Sequence, residues 1–147
     1  MKNAYAMLAV NMVAGLAIMY LAMFAMIDGA ADFFNNLNML YMAVLMAAPM
    51  GMLMVATMPV MYPDRSTNLV LHVVFVLLFA LALFGIRHQV GIGDRQFLRS
   101  MIPHHSGAIL MCRKASLEDP DVVRLCERIQ RSQREEIDEM NRLLARR

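Results

Sequence analysis

The chain has very little charge over its first 86 residues. Between Lys2 and Arg87 four residues carry a formal charge: Asp28, Asp32, Asp64 and Arg65. Hydrophobic residues make up 59% of the 147 residues, which is above the roughly 45–50% of soluble domains. The distribution predicts one region that lies in lipid and a second, charged region that lies in water.

The sequence also lacks the features of several protein classes. Two cysteines are too few for a disulfide framework, and the arginines of the C-terminal region alternate with Asp and Glu, so no basic patch for nucleic acid is present. The chain contains no Glu-x-x-His pair of a di-iron site, no glycine-rich phosphate loop, no zinc motif of paired cysteines and no Ser-His-Asp order. We therefore expect neither a nucleic-acid partner nor an enzyme.

Three apolar runs dominate residues 1–90. A helix that crosses the hydrocarbon core needs about 20 mainly apolar residues, and three stretches approach or exceed that length: residues 4–27, 37–62 and 69–86. We predict three transmembrane helices, with the lipid bilayer as their partner. The first run is too long for the apolar part of a cleaved signal peptide. Pro49 and Pro59 predict a bent second helix.

A few residues within these runs invite a functional interpretation. Asn11 and His72 are polar groups at membrane depth, and we expect them to cross-link helices by hydrogen bonds. A row of methionines recurs every three or four residues along the second run: Met39, Met42, Met46, Met50, Met54, Met58 and Met61. Thioethers along a path would suit Cu(I) transfer, but methionine is also a flexible apolar gap-filler. The simpler, structural interpretation is preferred.

Residues 91–147 predict two amphipathic helices after a flexible Gly91-Ile92-Gly93 joint. Helix A is expected from about residue 94 to residue 116, with Pro103 kinking or restarting it. Helix B is expected from about residue 120 to residue 145, because Asp119 can cap it and Pro120 suits its first position. The short connection between them predicts an antiparallel helical hairpin.

Folding helix A back on helix B brings polar and sulfur-containing residues together. The expected neighbours are His105 opposite Gln133, Met101 opposite Ile137 with Glu136 and Met140 within about one turn, and Cys112 opposite Cys126. Imidazole and thioether ligands favour a soft or borderline metal, Cu(I) in particular. The alternative is that His105 and Gln133 satisfy each other inside a small core and nothing binds. For the two cysteines a disulfide, an additional soft ligand and simple packing are all open.

The run Met101-Ile102-Pro103-His104-His105, with Gly107-Ala108-Ile109 after it, and the later Gln133-x-x-Glu136-Ile137-x-x-Met140 resemble the bacterial domain of unknown function 305 family. The resemblance covers about residues 94–145 and implies a ferritin-like fold and, in some members, copper binding in exported proteins. The positions that match the motif residues are Met101, His104, His105, Met111, Gln133, Glu136 and Met140. Many members have two hairpins in tandem, so a single hairpin implies a homodimer.

These observations predict an all-α protein with three transmembrane helices and a C-terminal hairpin that is half of a ferritin-like four-helix bundle. The leading hypothesis is copper storage, sensing or delivery in a bacterial inner membrane, with the hairpin on the periplasmic side. That side is implied by the resemblance, because the charges flanking the spans nearly balance. The alternative is a structural or interaction module in which hairpins oligomerise and the histidines are polar pins in the core.

Overall fold

The computed structural model describes residues 2–146, and their regular secondary structure is entirely helical. The α-helices are α1 (Lys2–Ala22), α2 (Leu37–Thr57), α3 (Arg65–His88), α4 (Asp94–Lys114) and α5 (Pro120–Ala145). Two short 3-10 helices, Met23–Met26 and Ala30–Asp32, lie in the linker between α1 and α2. The all-α fold class predicted from the sequence is confirmed.

Three helical stretches are long and apolar enough to cross a membrane: Ala4–Met26, Leu37–Thr57 and Arg65–His88. This finding confirms the three predicted candidate spans. The helix of the second span ends at Thr57, earlier than the predicted residue 62. Pro59 has no N–H to donate, and a proline disfavours helical geometry in the residue before it. Pro49, in contrast, lies inside α2, which continues through it.

The chain folds as two compact units. The first unit contains α1 together with Asn38–Gly91, and the second contains Met23–Leu37 together with the chain from Ile92 onward. The linker after α1 therefore belongs with α4 and α5.

The first unit has an apolar core, formed by Leu8, Ala48, Val55, Tyr62 and Phe75. A Cβ atom on Gly51 would lie 2.5 Å from the ring of Phe75, so this close contact between α2 and α3 requires glycine. Asp64 caps α3 by accepting a hydrogen bond from the Ser66 N–H.

The polar and methionine residues of the spans occupy both exposed and buried positions. Nδ1 of His72 lies 2.7 Å from the Asn68 carbonyl oxygen of its own helix, so the predicted cross-link to another helix is wrong for this residue. Asn11 is exposed on α1. Of the methionine row, Met46 is 42% exposed, whereas Met54 packs against the core of the first unit. The row is therefore shared between the surface and the interior of this unit.

The second unit is built from α4, α5 and the linker after α1. Its core contains Leu98, Ile102, Ile109, Ile137 and Met140, and Phe34 of the linker packs against them. α4 ends at Lys114 and passes through Pro103 without a restart. Ile102 is fully buried, and tertiary packing of this kind overrides a local preference against helix.

The start of α5 follows from local sequence signals. The side chain of Asp119 accepts hydrogen bonds from the N–H groups of Asp121 and Val122, and Pro120 occupies the first turn. These are the capping interactions that the sequence predicted, and the observed range of α5 agrees with the expected one. A precise start for α5 fixes which of its residues point toward α4.

Candidate metal centre

Two side-chain contacts fix the position of α4 against α5. Close to the connection between the helices, Cys112 and Cys126 form a disulfide with their Cα atoms 5.3 Å apart. Further from the connection, His105 of α4 contacts Glu136 of α5. The two helices therefore run side by side in opposite directions over this stretch. Of the alternatives left open for the two cysteines, the structure contains the disulfide.

His105 is the buried polar residue at the centre of the candidate site. Its side chain is 11% exposed, and its Nδ1 lies 3.0 Å from Oε2 of Glu136. The two groups are not aligned for a hydrogen bond, and Nδ1 makes none with any other described residue. The sequence had indicated Gln133 as the neighbour of His105. The observed contact is with Glu136, one helical turn further along α5.

The environment of His105 favours its neutral form. Burial lowers the pKa of the imidazole from its ordinary value of 6.5, the Glu136 carboxylate raises it, and His104 lowers it. The direction that prevails is downward. A neutral imidazole is the form that binds metal ions, because protonation removes the lone pair that acts as ligand.

Glu136 is held in place by its own helix. Its Oε1 accepts a hydrogen bond of 2.9 Å from the Ser132 hydroxyl, one turn earlier on α5. The side chain of Glu136 is 47% exposed. The contact between His105 and Glu136 is therefore buried on the histidine side and open to solvent on the carboxylate side.

The structure distributes the other predicted ligands unevenly around this pair. Met140 is buried in the core of the second unit, and Met101 packs against that core. His104 is exposed, and its ring centroid lies 6.0 Å from that of His105. Two predicted thioethers thus lie in or against the core of the second unit, and the two imidazoles are neighbours on α4.

Two predicted ligands lie further away or are only partly buried. Met111 is 54% exposed, and its position on α4 is about 9 Å along the helix axis from His105. Gln133 is half-buried on α5. Met111 therefore lies closer to the disulfide than to the pair of His105 and Glu136.

Sequence reasoning missed a second polar cluster in the same unit. The side chain of Ser106, the residue after His105, is fully buried. Its hydroxyl accepts a hydrogen bond of 2.7 Å from the Asp28 N–H and donates one of 2.6 Å to Oδ2 of Asp32. Both aspartates belong to the linker after α1. The signal that could have indicated them is the presence of two carboxylates in a region that is otherwise almost free of charge.

Two arginines neutralise these carboxylates. Arg113 of α4 lies 2.8 Å from Oδ1 of Asp28, and Arg134 of α5 lies 3.3 Å from Oδ2 of the same residue. The contact with Arg113 is ionic rather than an aligned hydrogen bond. Arg134 is also 3.9 Å from Oδ2 of Asp32. The cluster ties the linker to both helices, and its charges balance without a bound cation.

The donor atoms present set the chemistry that the candidate site can support. Within residues 2–146 there is no group of three or more His, Cys, Asp or Glu side chains placed to hold a metal ion. His105 and Glu136 supply one nitrogen and one oxygen, so further ligands would have to include thioethers or the amide of Gln133. Such a mixed set fits a borderline or soft ion better than Mg²⁺ or Ca²⁺.

Comparisons with known proteins give a family but no activity. The family described as Domain of unknown function (DUF305) matches residues 86–144. The chain is also 33% identical, over 119 residues, to the uncharacterized protein L153 of Acanthamoeba polyphaga mimivirus, covering 80% of this chain and 76% of that protein. No solved structure matches the chain at a significant level. The chain belongs to the DUF305 family, whose matched region contains α4 and α5 in full except for the last residue of α5.

Proposed function

We propose that this protein is a membrane-anchored copper-binding protein whose second unit holds the ion at His105 and Glu136. The proposal is supported by one observation: the buried Nδ1 of His105 has no hydrogen bond with any residue that the structure describes, and it lies 3.0 Å from Oε2 of Glu136. Imidazole nitrogen and carboxylate oxygen bind ions such as Zn²⁺ at about 2.0–2.2 Å. Two donors on one ion are then commonly about 3 Å apart.

The proposal gives each residue of the site a separate role. His105 supplies a neutral nitrogen, since burial keeps its pKa low. Glu136 supplies an oxygen that Ser132 orients through its hydrogen bond. The soft ligands are thioethers, of which Met101 and Met140 lie in or against the adjoining core. His104 and Gln133 are further candidate ligands, whereas Met111, 54% exposed and about 9 Å along α4 from His105, lies outside the site. A bound copper ion would supply a soft Lewis acid that can be stored, sensed or passed on.

The disulfide supports a location for the second unit. Disulfides persist in oxidising compartments and are rare where cytosolic reductants act. We therefore place α4 and α5 on the periplasmic side of a bacterial inner membrane, with the three apolar helices as the anchor. This side also suits the handling of copper that enters from outside the cytoplasm.

We further propose that α4 and α5 form half of a ferritin-like four-helix bundle and that a second copy completes it. Phe97 and Leu143 line an open groove of about 210 Å³ together with Asp94 and Leu98. Phe97 is 50% exposed, which is costly for an aromatic side chain in water. Ile109, in contrast, is buried, so it does not contribute to the surface available to a second copy.

The test is a Cu(I) titration of the full chain in detergent against a chromophoric Cu(I) chelator. The parent protein should compete for the ion, and His105→Ala should lose this ability because the buried nitrogen is removed. Glu136→Gln should weaken binding by at least about 10–100-fold, the usual effect of changing a residue that only orients a ligand, because Glu136 itself supplies a ligand oxygen. His88→Ala, at the end of α3, is a matched control that should bind as the parent does.

The proposal is wrong if His105→Ala retains Cu(I) as tightly as the parent. Circular dichroism of each variant shows whether α4 and α5 remain folded, so that loss of binding is not confused with loss of structure. Zn²⁺ titrated in the same way tests metal preference. Tighter retention of Zn²⁺ than of Cu(I) would contradict the assignment of copper.

A second candidate function is supported by a different observation. His105 and Glu136 already contact each other, as expected for a polar pin that fixes how two helices pair. In an interaction module of this kind the exposed groove at Phe97 would hold a partner and no metal would bind. The parent protein would then fail to compete for any metal, and His105→Ala would alter helix pairing or oligomeric state alone.

A further inference from the structure

The disulfide lies at an accessible end of the second unit. Cys112 and Cys126 are both half-buried, and the connection beside them, residues 115–119, is largely exposed. These two residues are the only cysteines in the sequence. Reduction therefore frees two thiols that have no third cysteine to exchange with. A small reductant or an ion can reach them from the solvent.

Contacts other than the S–S bond hold the two cysteines opposite each other. Ile102, Ile109 and Ile137 pack α4 against α5 in the core. Arg113, next to Cys112, and Arg134 of α5 both contact Asp28 of the linker. Since these contacts do not depend on the disulfide, reduction should leave the two cysteine Cα atoms close to their separation of 5.3 Å.

We propose that Cys112 and Cys126, when reduced, form a second metal site that is selective for Cu(I). Thiolate sulfur is a soft ligand and favours this ion over harder cations. Metal–thiolate bonds of about 2.3 Å place two sulfurs on one ion at most about 4.6 Å apart. Side-chain rotation reaches this separation from Cα atoms 5.3 Å apart. The site lies about 10 Å along α4 from His105, so the two sites bind separate ions.

The redox state of Cys112 and Cys126 determines whether this site exists. A dithiol reductant attacks one sulfur, the S–S bond breaks, and the reductant supplies two electrons and two protons and leaves as a disulfide. Binding of Cu(I) then releases the two thiol protons and forms two copper–sulfur bonds. In the oxidised protein the sulfurs are bonded to each other and no thiolate is present. A small disulfide acting as oxidant re-forms the S–S bond: it takes two electrons from the two thiolates, gains two protons from the solvent and leaves as two thiols. The copper–sulfur bonds break in this step, so oxidation closes the site and releases the Cu(I) ion.

The experiment compares the oxidised and reduced full chain in detergent. The protein is reduced with dithiothreitol, freed of reductant without oxygen, and titrated with Cu(I) against a chromophoric chelator. Reduction should add one tightly bound Cu(I) per chain. Mass spectrometry after iodoacetamide treatment verifies that both thiols are free, and circular dichroism verifies that the helices persist.

Three variants separate this site from other sources of binding. Cys112→Ser/Cys126→Ser should gain no Cu(I) on treatment with dithiothreitol, and Cys126→Ala should retain the ion far more weakly because one thiolate cannot chelate. His104→Ala/His105→Ala should still gain one Cu(I) on reduction, since this inference does not depend on the site at His105. An equal Cu(I) content of the oxidised and reduced parent would overturn the proposal. Unfolding of α4 and α5 on reduction would overturn it as well.

Discussion

Ser106→Ala tests whether the linker after α1 is an integral part of the second unit. The Ser106 hydroxyl is fully buried and joins α4 to the linker through Asp28 and Asp32. Alanine removes both hydrogen bonds and leaves the helix itself intact, because it is a better helix former than serine. The buried carboxylate of Asp32 and the N–H of Asp28 then lose these partners.

The expected loss of stability follows from the type of each hydrogen bond that the substitution removes. A hydrogen bond to a charged group contributes about 1.5–3 kcal/mol, and a buried donor left without a partner costs about 1–3 kcal/mol. The two effects share one hydroxyl and are not additive, so we expect a loss of about 2–4 kcal/mol in the free energy of local opening. The lower figure corresponds to roughly a thirtyfold change in the opening equilibrium.

Hydrogen exchange measured by mass spectrometry on the full chain in detergent is the suitable assay. Peptides from Met23–Leu37 and from the middle of α4 should lose protection by roughly thirtyfold or more. Ser116→Ala, at an exposed position after α4, is the matched control and should exchange like the parent. If protection in Ser106→Ala falls by less than about threefold, equivalent to about 0.7 kcal/mol, the linker does not depend on this cluster.

Further predictions concern pH, assembly and topology. The pKa of His105 in the folded protein is lower than its ordinary value of 6.5. At a pH between the folded-state pKa and 6.5, the unfolded chain therefore binds more protons than the folded chain does. Stability should therefore rise with pH across that window, and unfolding curves of His105→Gln should show a weaker rise. Mass measurement in detergent should give a dimer, and Phe97→Asp should yield monomers. A C-terminal reporter active only in the periplasm should be active, whereas activity of a cytoplasm-only reporter would reverse the topology.

Local signals in the sequence were sufficient to predict the helices. Asp119 and Pro120 define the start of α5 through interactions within a few residues, and the apolar runs define the three candidate spans through their length and composition. The predicted end of α2 is wrong because Pro59 prevents the helix from continuing, whereas the sequence pattern predicted only a bend at Pro59. Capping and helix length depend on neighbours in the sequence, so they can be predicted without a fold.

The candidate site was predictable only in part, since it depends on how α4 and α5 are aligned. The sequence brought His105 into contact with α5 but gave Gln133 as its neighbour instead of Glu136. A shift of one turn arises because the length of the connection does not fix the relative translation of two helices. The cluster of Asp28, Asp32 and Ser106 could not be found by periodicity, because Ser106 is 78 positions from Asp28 and 74 positions from Asp32.

The long separation between the linker and its partners has a consequence for biogenesis. During synthesis Asp28 and Asp32 leave the ribosome well before Ser106, and Arg134 follows later still. Asp28 and Asp32 therefore have no contact with Ser106 or Arg134 until those residues have been synthesised. Contacts between such distant segments form slowly. A fragment that starts after α3 would lack Phe34 and both aspartates, leaving the core of α4 and α5 partly uncovered. We therefore expect that a gene fusion that transfers the C-terminal helices in folded form must carry Met23–Leu37 as well.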